Sequence, residues 1–152
     1  MLTVKALRTL SLAATIGTLL AAILGRAVRA YGASLSVPDW PLFEGRAFPK
    51  KLDRDIALET SHRLVVMTVG VLVVAMAVVS LREGGRVRLI CLSLLAVLLV
   101  TALVGGLSVL HKLPKYVAVI DEALALALLT ALTVFTTWLY VGKLEETTSE
   151  HA

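Results

Sequence analysis

Four long apolar stretches alternate with polar segments along the chain, at about residues 9–28, 58–81, 89–110 and 116–140. Each is close to or above the roughly 20 residues an α-helix needs to cross a hydrocarbon core. The pattern predicts an all-α, integral membrane four-helix bundle filling residues 1–144 as a single domain. The tail at 145–152 is polar and acidic and is expected to fray. The connections between the stretches are unequal. Residues 82–88 and 111–115 form tight turns, which force neighbouring helices to lie antiparallel and adjacent. Residues 29–57 form a long loop containing Pro38, Pro41, Pro49, Trp40 and Phe43. Loops of that length in compact proteins tend to be functional or disordered, and interfacial aromatics favour function here.

Composition strengthens the membrane reading. Of 152 residues, 58% are hydrophobic and 17% charged, against about 25% charged in a soluble domain. Lys5 and Arg8 ahead of the first stretch, with AVRA at 27–30, loosely resemble a secretory signal. The apolar core of a signal is only about 7–15 residues long, and Arg26 and Arg29 are poor cleavage flanks, so a retained helix is expected. The net charge of +4 is spread over turns at both membrane faces, which makes the lipid bilayer a partner and argues against nucleic acid. The same spread keeps the excess of Lys and Arg on cytoplasmic segments from choosing an orientation. No phosphate-binding glycine loop, cysteine-rich metal spacing or nucleophile elbow is present. The single cysteine, Cys91, lies within the third stretch and reads as a small packing residue.

Two helices carry small residues every fourth position: Ala13, Gly17, Ala21 and Gly25 in the first, and Ala123, Ala127 and Ala131 in the fourth. That spacing lets membrane helices approach closely, within one chain or between copies.

The chemistry concentrates in ETSHR, residues 59–63, at the head of the second helix. Ionisable groups there are expensive in lipid and mark functional sites by default. Glu59 and His62, three apart, share one helix face, and Val66 and Gly70 continue the stripe beyond His62. A histidine followed by a smooth stripe suits a flat macrocycle with its iron on the imidazole. An interfacial histidine hydrogen-bonded to Glu59 fits the same spacing. Arg63 either snorkels to the interface or pairs with an anionic ligand group. In the fourth helix Asp121 and Glu122 enter the membrane more than a turn past Tyr116. Their expected partner is Arg63 or an arginine at the end of the first helix, as a structural ion pair or as a proton-transfer site. His111, flanked by Lys112 and Lys115, ends the third helix on the same side as His62.

In order along the chain, GRAVRAYGASLSVPDWPLFEG (25–45), ETSHR (59–63) and LVGGLSVLHKLP (103–114) resemble the heme A synthase family. Its first outer loop carries G-x-V-R-x-x-G and P-D-W-P, its second helix begins E-x-x-H-R, and its third turn reads L-G-G-L-T-V-L…L-P. The resemblance spans most of the chain and implies a fold equivalent to one half of an eight-helix heme A synthase. It implies an oxidoreductase that converts the methyl group of heme O to the formyl group of heme A for respiratory oxidase biogenesis. Heme b is then the redox cofactor and heme O the substrate. Glu59 matches the catalytic carboxylate and His62 the heme-iron ligand; Arg26, Arg29 and Arg63 become candidates for the heme propionates, with Gly70 and Asp121 lining the site. The topology implied is a multi-pass protein of the cell membrane, with both termini cytoplasmic and the PDWP loop outside.

Three departures qualify the resemblance. Asp121 stands where the family offers a second histidine, leaving His111, water or nothing as the other axial ligand. Val37 and Phe43 stand where many members have a cysteine pair. The chain has half the usual length, which a homodimer or higher symmetric homo-oligomer would repair. Heme O synthase and a terminal oxidase are the implied protein partners. A non-catalytic heme-binding or heme-delivery membrane protein is the alternative, and a structural subunit of a respiratory complex is the third reading.

Overall fold

The computed structural model describes residues 2–41, 43, 45, 46, 48–112 and 115–149. Glu44 of the loop, Pro114 of the last turn and His151 of the tail lie outside the described residues. The four helices are α1 (Leu2–Ala30), α2 (Arg54–Ser80), α3 (Gly85–Leu110) and α4 (Lys115–Ser149). All four are long and apolar enough to cross a membrane, so the chain is a multi-pass membrane protein by length and composition. α1 packs on α2 and α4, and α3 packs on α2 and α4, giving a ring of antiparallel neighbours.

The helix bounds correct the sequence expectation at several ends. α1 starts at Leu2 and α2 at Arg54, each at least four residues before its apolar stretch, because Lys5, Arg8 and Asp55 are accommodated within helical turns. α4 runs on to Ser149, so the segment expected to fray is helical through that residue. The long loop shortens accordingly to residues 31–53.

Local chemistry explains these ends. Gly32 stops α1 with φ 72°, a left-handed conformation that glycine adopts without steric cost. Asp53 starts α2, its carboxylate accepting from the Ile56 backbone N–H at 2.9 Å. That contact satisfies one of the donors a helix N-terminus leaves unpaired.

The first-helix stripe of small residues is used inside the bundle. A Cβ at Gly17 would lie 2.8 Å from Val69 Cγ2, and one at Gly25 3.0 Å from His62 Cε1. The α1–α2 seam therefore depends on glycine at both points. Thr15 and Thr136 share a hydrogen bond of 3.1 Å between α1 and α4. Further along, Arg8 Nε donates to the Leu139 carbonyl at 2.7 Å while its guanidinium lies over Tyr140.

The bundle is divided along its length. Its apolar core, including Leu7, Val73, Met76, Cys91, Leu132 and Phe135, lies at the end holding the α2–α3 turn. The opposite end, closed by the long loop, holds Arg29, Glu59, His62, Arg63 and Asp121.

Candidate functional site

The loop end of the bundle is built around α2. Glu59 and Arg63 lie one turn apart and form an ion pair, Arg63 Nε to Glu59 Oε1 at 2.8 Å, with the residues only 4% and 7% exposed. Arg63 also donates through Nη1 to the Asp39 carbonyl at 2.7 Å and through Nη2 to the Val37 carbonyl at 2.8 Å. Its guanidinium sits over the Phe43 ring, 5.4 Å from the centroid. A guanidinium carries five N–H donors in a rigid fork, and here the fork pins the PDWP loop to α2. Arg63 therefore does not snorkel; it turns inward. It pairs with Glu59 and with the loop.

The loop is itself folded for this contact. Phe43 and Arg46 exchange backbone hydrogen bonds of 2.8 and 3.0 Å across a turn in which Gly45 has φ 71°. Asp39 accepts from the Gly45 backbone N–H at 3.0 Å. Trp40 then lies against α3: a Cβ at Gly106 would sit 2.6 Å from the Trp40 ring. The loop thus covers the bundle end by a tryptophan on α3 and an arginine from α2.

His62 points the other way, toward α1. Its ring is half-buried, resting on Gly25, with Nδ1 3.1 Å from the Ala21 carbonyl oxygen. A carbonyl only accepts, so this contact places the ring proton on Nδ1 and leaves the lone pair on Nε2. His62 is not the hydrogen-bond partner of Glu59; Arg63 takes that place. Gly70, two turns further along α2, is half-buried, and a Cβ there would meet nothing within 4 Å.

The α4 carboxylates find their partners at the end of α1. Arg29 Nη2 lies 2.9 Å from Asp121 Oδ2, and Arg29 Nη1 lies 3.1 Å from Glu122 Oε2 and 3.0 Å from the Ala118 carbonyl. Arg26 adds a second contact to Glu122 at 3.1 Å. The sequence left Arg63 and the first-helix arginines as alternatives, and the structure selects the latter. Gly105 of α3 is what admits this cluster, since a Cβ there would lie 3.2 Å from Asp121 Oδ1. Arg26 is 71% exposed in its pair, so that contact contributes little; the Arg29–Asp121 pair is better enclosed and ties α1 to α4.

His111 caps α3 and is exposed, and no described contact joins it to His62. No group of three or more metal-ligating side chains occurs among the described residues. The interior role of Arg63 and the seating of Trp40 on Gly106 were not foreseen from the sequence. The only sequence signals for them are the basic residue beside His62 and the glycine pair 105–106 facing a loop with one tryptophan. Compared with family models, with curated proteins and with solved structures, the chain has no match in any of the three.

Proposed function

We propose that the chain is a compact membrane oxidoreductase of the heme A synthase kind, oxidising the methyl group of heme O to the formyl group of heme A. The observation that carries this reading is His62: a helix carbonyl fixes its Nδ1 proton and so leaves the lone pair on Nε2, the nitrogen a metal would take. Metal-ligating histidines are oriented in this way by a hydrogen bond from the other ring nitrogen. Open space at the Cβ position of Gly70 on the same helix is a second feature that suits a planar ring.

These residues fit a heme b held on one side by His62. When bound, that heme supplies the iron redox chemistry that a polypeptide lacks. The chain's own residues position and enclose. Gly25 and Ala21 hold the imidazole, and Arg63 fastens the loop over the bundle end. Glu59 gives Oε1 to Arg63, and the proposal assigns its carboxylate to accept a proton from, or stabilise positive charge on, the reacting carbon of heme O. Arg26 and Arg29 rim the same end of the bundle and retain exposed surface with which to meet propionates. Asp121 serves as the anchor of Arg29 in this reading and does not replace a second axial histidine.

The proposal further places the chain in the cell membrane with both termini cytoplasmic, beside a heme O synthase and a terminal oxidase. It acts as a symmetric homo-oligomer. The α4 stripe Ala123, Ala127 and Ala131 is exposed in the single chain and offers a close-approach surface for a second copy.

One observation favours a second reading, heme binding or delivery without catalysis. Both carboxylates nearest the site, Glu59 and Asp121, are already held by arginines. Co-expression with a heme O source, followed by heme extraction and mass spectrometry, separates the two. The synthase reading predicts heme A with the wild type and accumulated heme O with Glu59→Gln. Bound heme with no formyl product in the wild type selects the carrier.

A further inference from the structure

The long loop contains a cavity of about 280 Å³ that shares Val37 and Phe43 with the Arg63 contacts above and none of the other site residues. Its lining is apolar at Val37, Phe43, Pro49 and Ile56, of which Val37 and Phe43 are buried, and polar at Ser36 and the exposed Lys50 and Lys51. Ile56 belongs to the first turn of α2, so the cavity lies at the level where that helix enters its membrane-spanning segment. Neither lysine forms an ion pair with a described residue. The nearby carboxylates are engaged: Asp53 caps α2 and Asp55 pairs with Arg54. Beside the lysines the loop exposes Phe48 (64%) and Leu52 (69%), large apolar side chains flanking the two positive charges.

Exposed apolar groups flanking cations are what a segment shows when it lies at a bilayer surface. The rings and aliphatic chains sit among glycerol and acyl carbons, and the ammonium groups sit at the phosphate level. We propose that this cavity is a binding site for one anionic phospholipid. Lys50 and Lys51 hold its phosphate, the Val37–Phe43–Pro49–Ile56 surface takes the glycerol and first acyl carbons, and Phe48 and Leu52 dip into the surrounding lipid. The lipid holds the loop down from outside as Arg63 holds it from inside.

The test uses the full chain in detergent mixed with equal amounts of phosphatidylglycerol and phosphatidylcholine, read by native mass spectrometry for retained lipid. The wild type is expected to keep one phosphatidylglycerol in preference to phosphatidylcholine. In the Lys50→Gln/Lys51→Gln variant that preference falls roughly tenfold or more, since each basic residue near an anionic surface contributes substantially to such binding. Both lysines are exposed, and circular dichroism checks that the helices remain. Arg86→Gln/Arg88→Gln removes the same charge at the opposite end of the bundle and is expected to leave the preference intact. Millimolar glycerol phosphate is expected not to displace the lipid, because the apolar lining contributes to binding. Equal retention of both lipids by the wild type overturns the proposal. So does an equal loss in the two double variants, which reduces the effect to net charge, and so does displacement by glycerol phosphate, which makes the site one for free phosphate.

Discussion

Arg63 sits on a membrane helix, yet its guanidinium turns away from both lipid and water toward Glu59 and two loop carbonyls. A buried ion pair is of doubtful net value against an apolar replacement, but removing one partner strands the other at a cost of about 3–5 kcal/mol. Arg63→Met is therefore expected to lower thermal stability by about that amount and to open residues 31–53 to protease, as seen by a melting curve and limited proteolysis. Unchanged melting and cleavage would show that the pair does not hold the loop. Glu59→Gln keeps an oxygen acceptor for Arg63, so its loss is expected to be smaller, about 1–3 kcal/mol. It is expected to stay folded enough to test the proposed catalytic role. His62 is held by a softer arrangement, one hydrogen bond and a glycine floor. In Gly25→Ala the ring must yield by a few tenths of an ångström, and the expected readout is a shifted absorption band of bound heme with the helices intact.

At the scale of elements, the loop and α3 meet through Trp40 and Gly106. Any side chain at position 106 collides with the indole, so Gly106→Val is expected to push Trp40 into a wetter environment. In a Trp138→Phe background its fluorescence should move to longer wavelength, and an unmoved emission would mean the ring never rested on α3. The sequence made the four helices legible because lipid demands long apolar runs whatever the tertiary contacts. It also made the small-residue face of α1 legible, and Gly17 and Gly25 do lie in the α1–α2 seam. Helix ends were less legible. Lys5, Arg8 and Asp55 break the apolar pattern without breaking the helix. Long-range polar partners were the least legible. Nothing in the spacing of ETSHR says that its arginine reaches Val37 and Asp39, 26 and 24 residues back, while its histidine turns toward Ala21. Nor does adjacency of Asp121 and Glu122 reveal that Arg29 bridges both.

The whole molecule is a bundle with unequal ends, mainly apolar where the α2–α3 turn lies and polar beneath the loop. Under the proposed function that inequality serves a flat, partly anionic ligand: one half would supply rigidity, and the other a ligand nitrogen, cations and a cover. Four crossings put both termini on one side, and reporter fusions at each terminus are expected to give the same sign. Opposite signs would remove one span. The exposed alanine stripe on α4 predicts that Ala127→Cys, in a Cys91→Ala background, crosslinks in membranes while Val71→Cys on the exposed face of α2 does not.

The most direct measurement of the central claim is the heme content of the purified chain. Wild type, His62→Ala, and His62→Ala supplied with imidazole would be compared by pyridine-hemochrome spectra after co-expression with a heme source. The account predicts stoichiometric heme on the wild type, its loss in the variant, and partial recovery with imidazole standing in for the missing ring. Wild-type protein that carries no heme, or a variant that carries as much as the wild type, would contradict it.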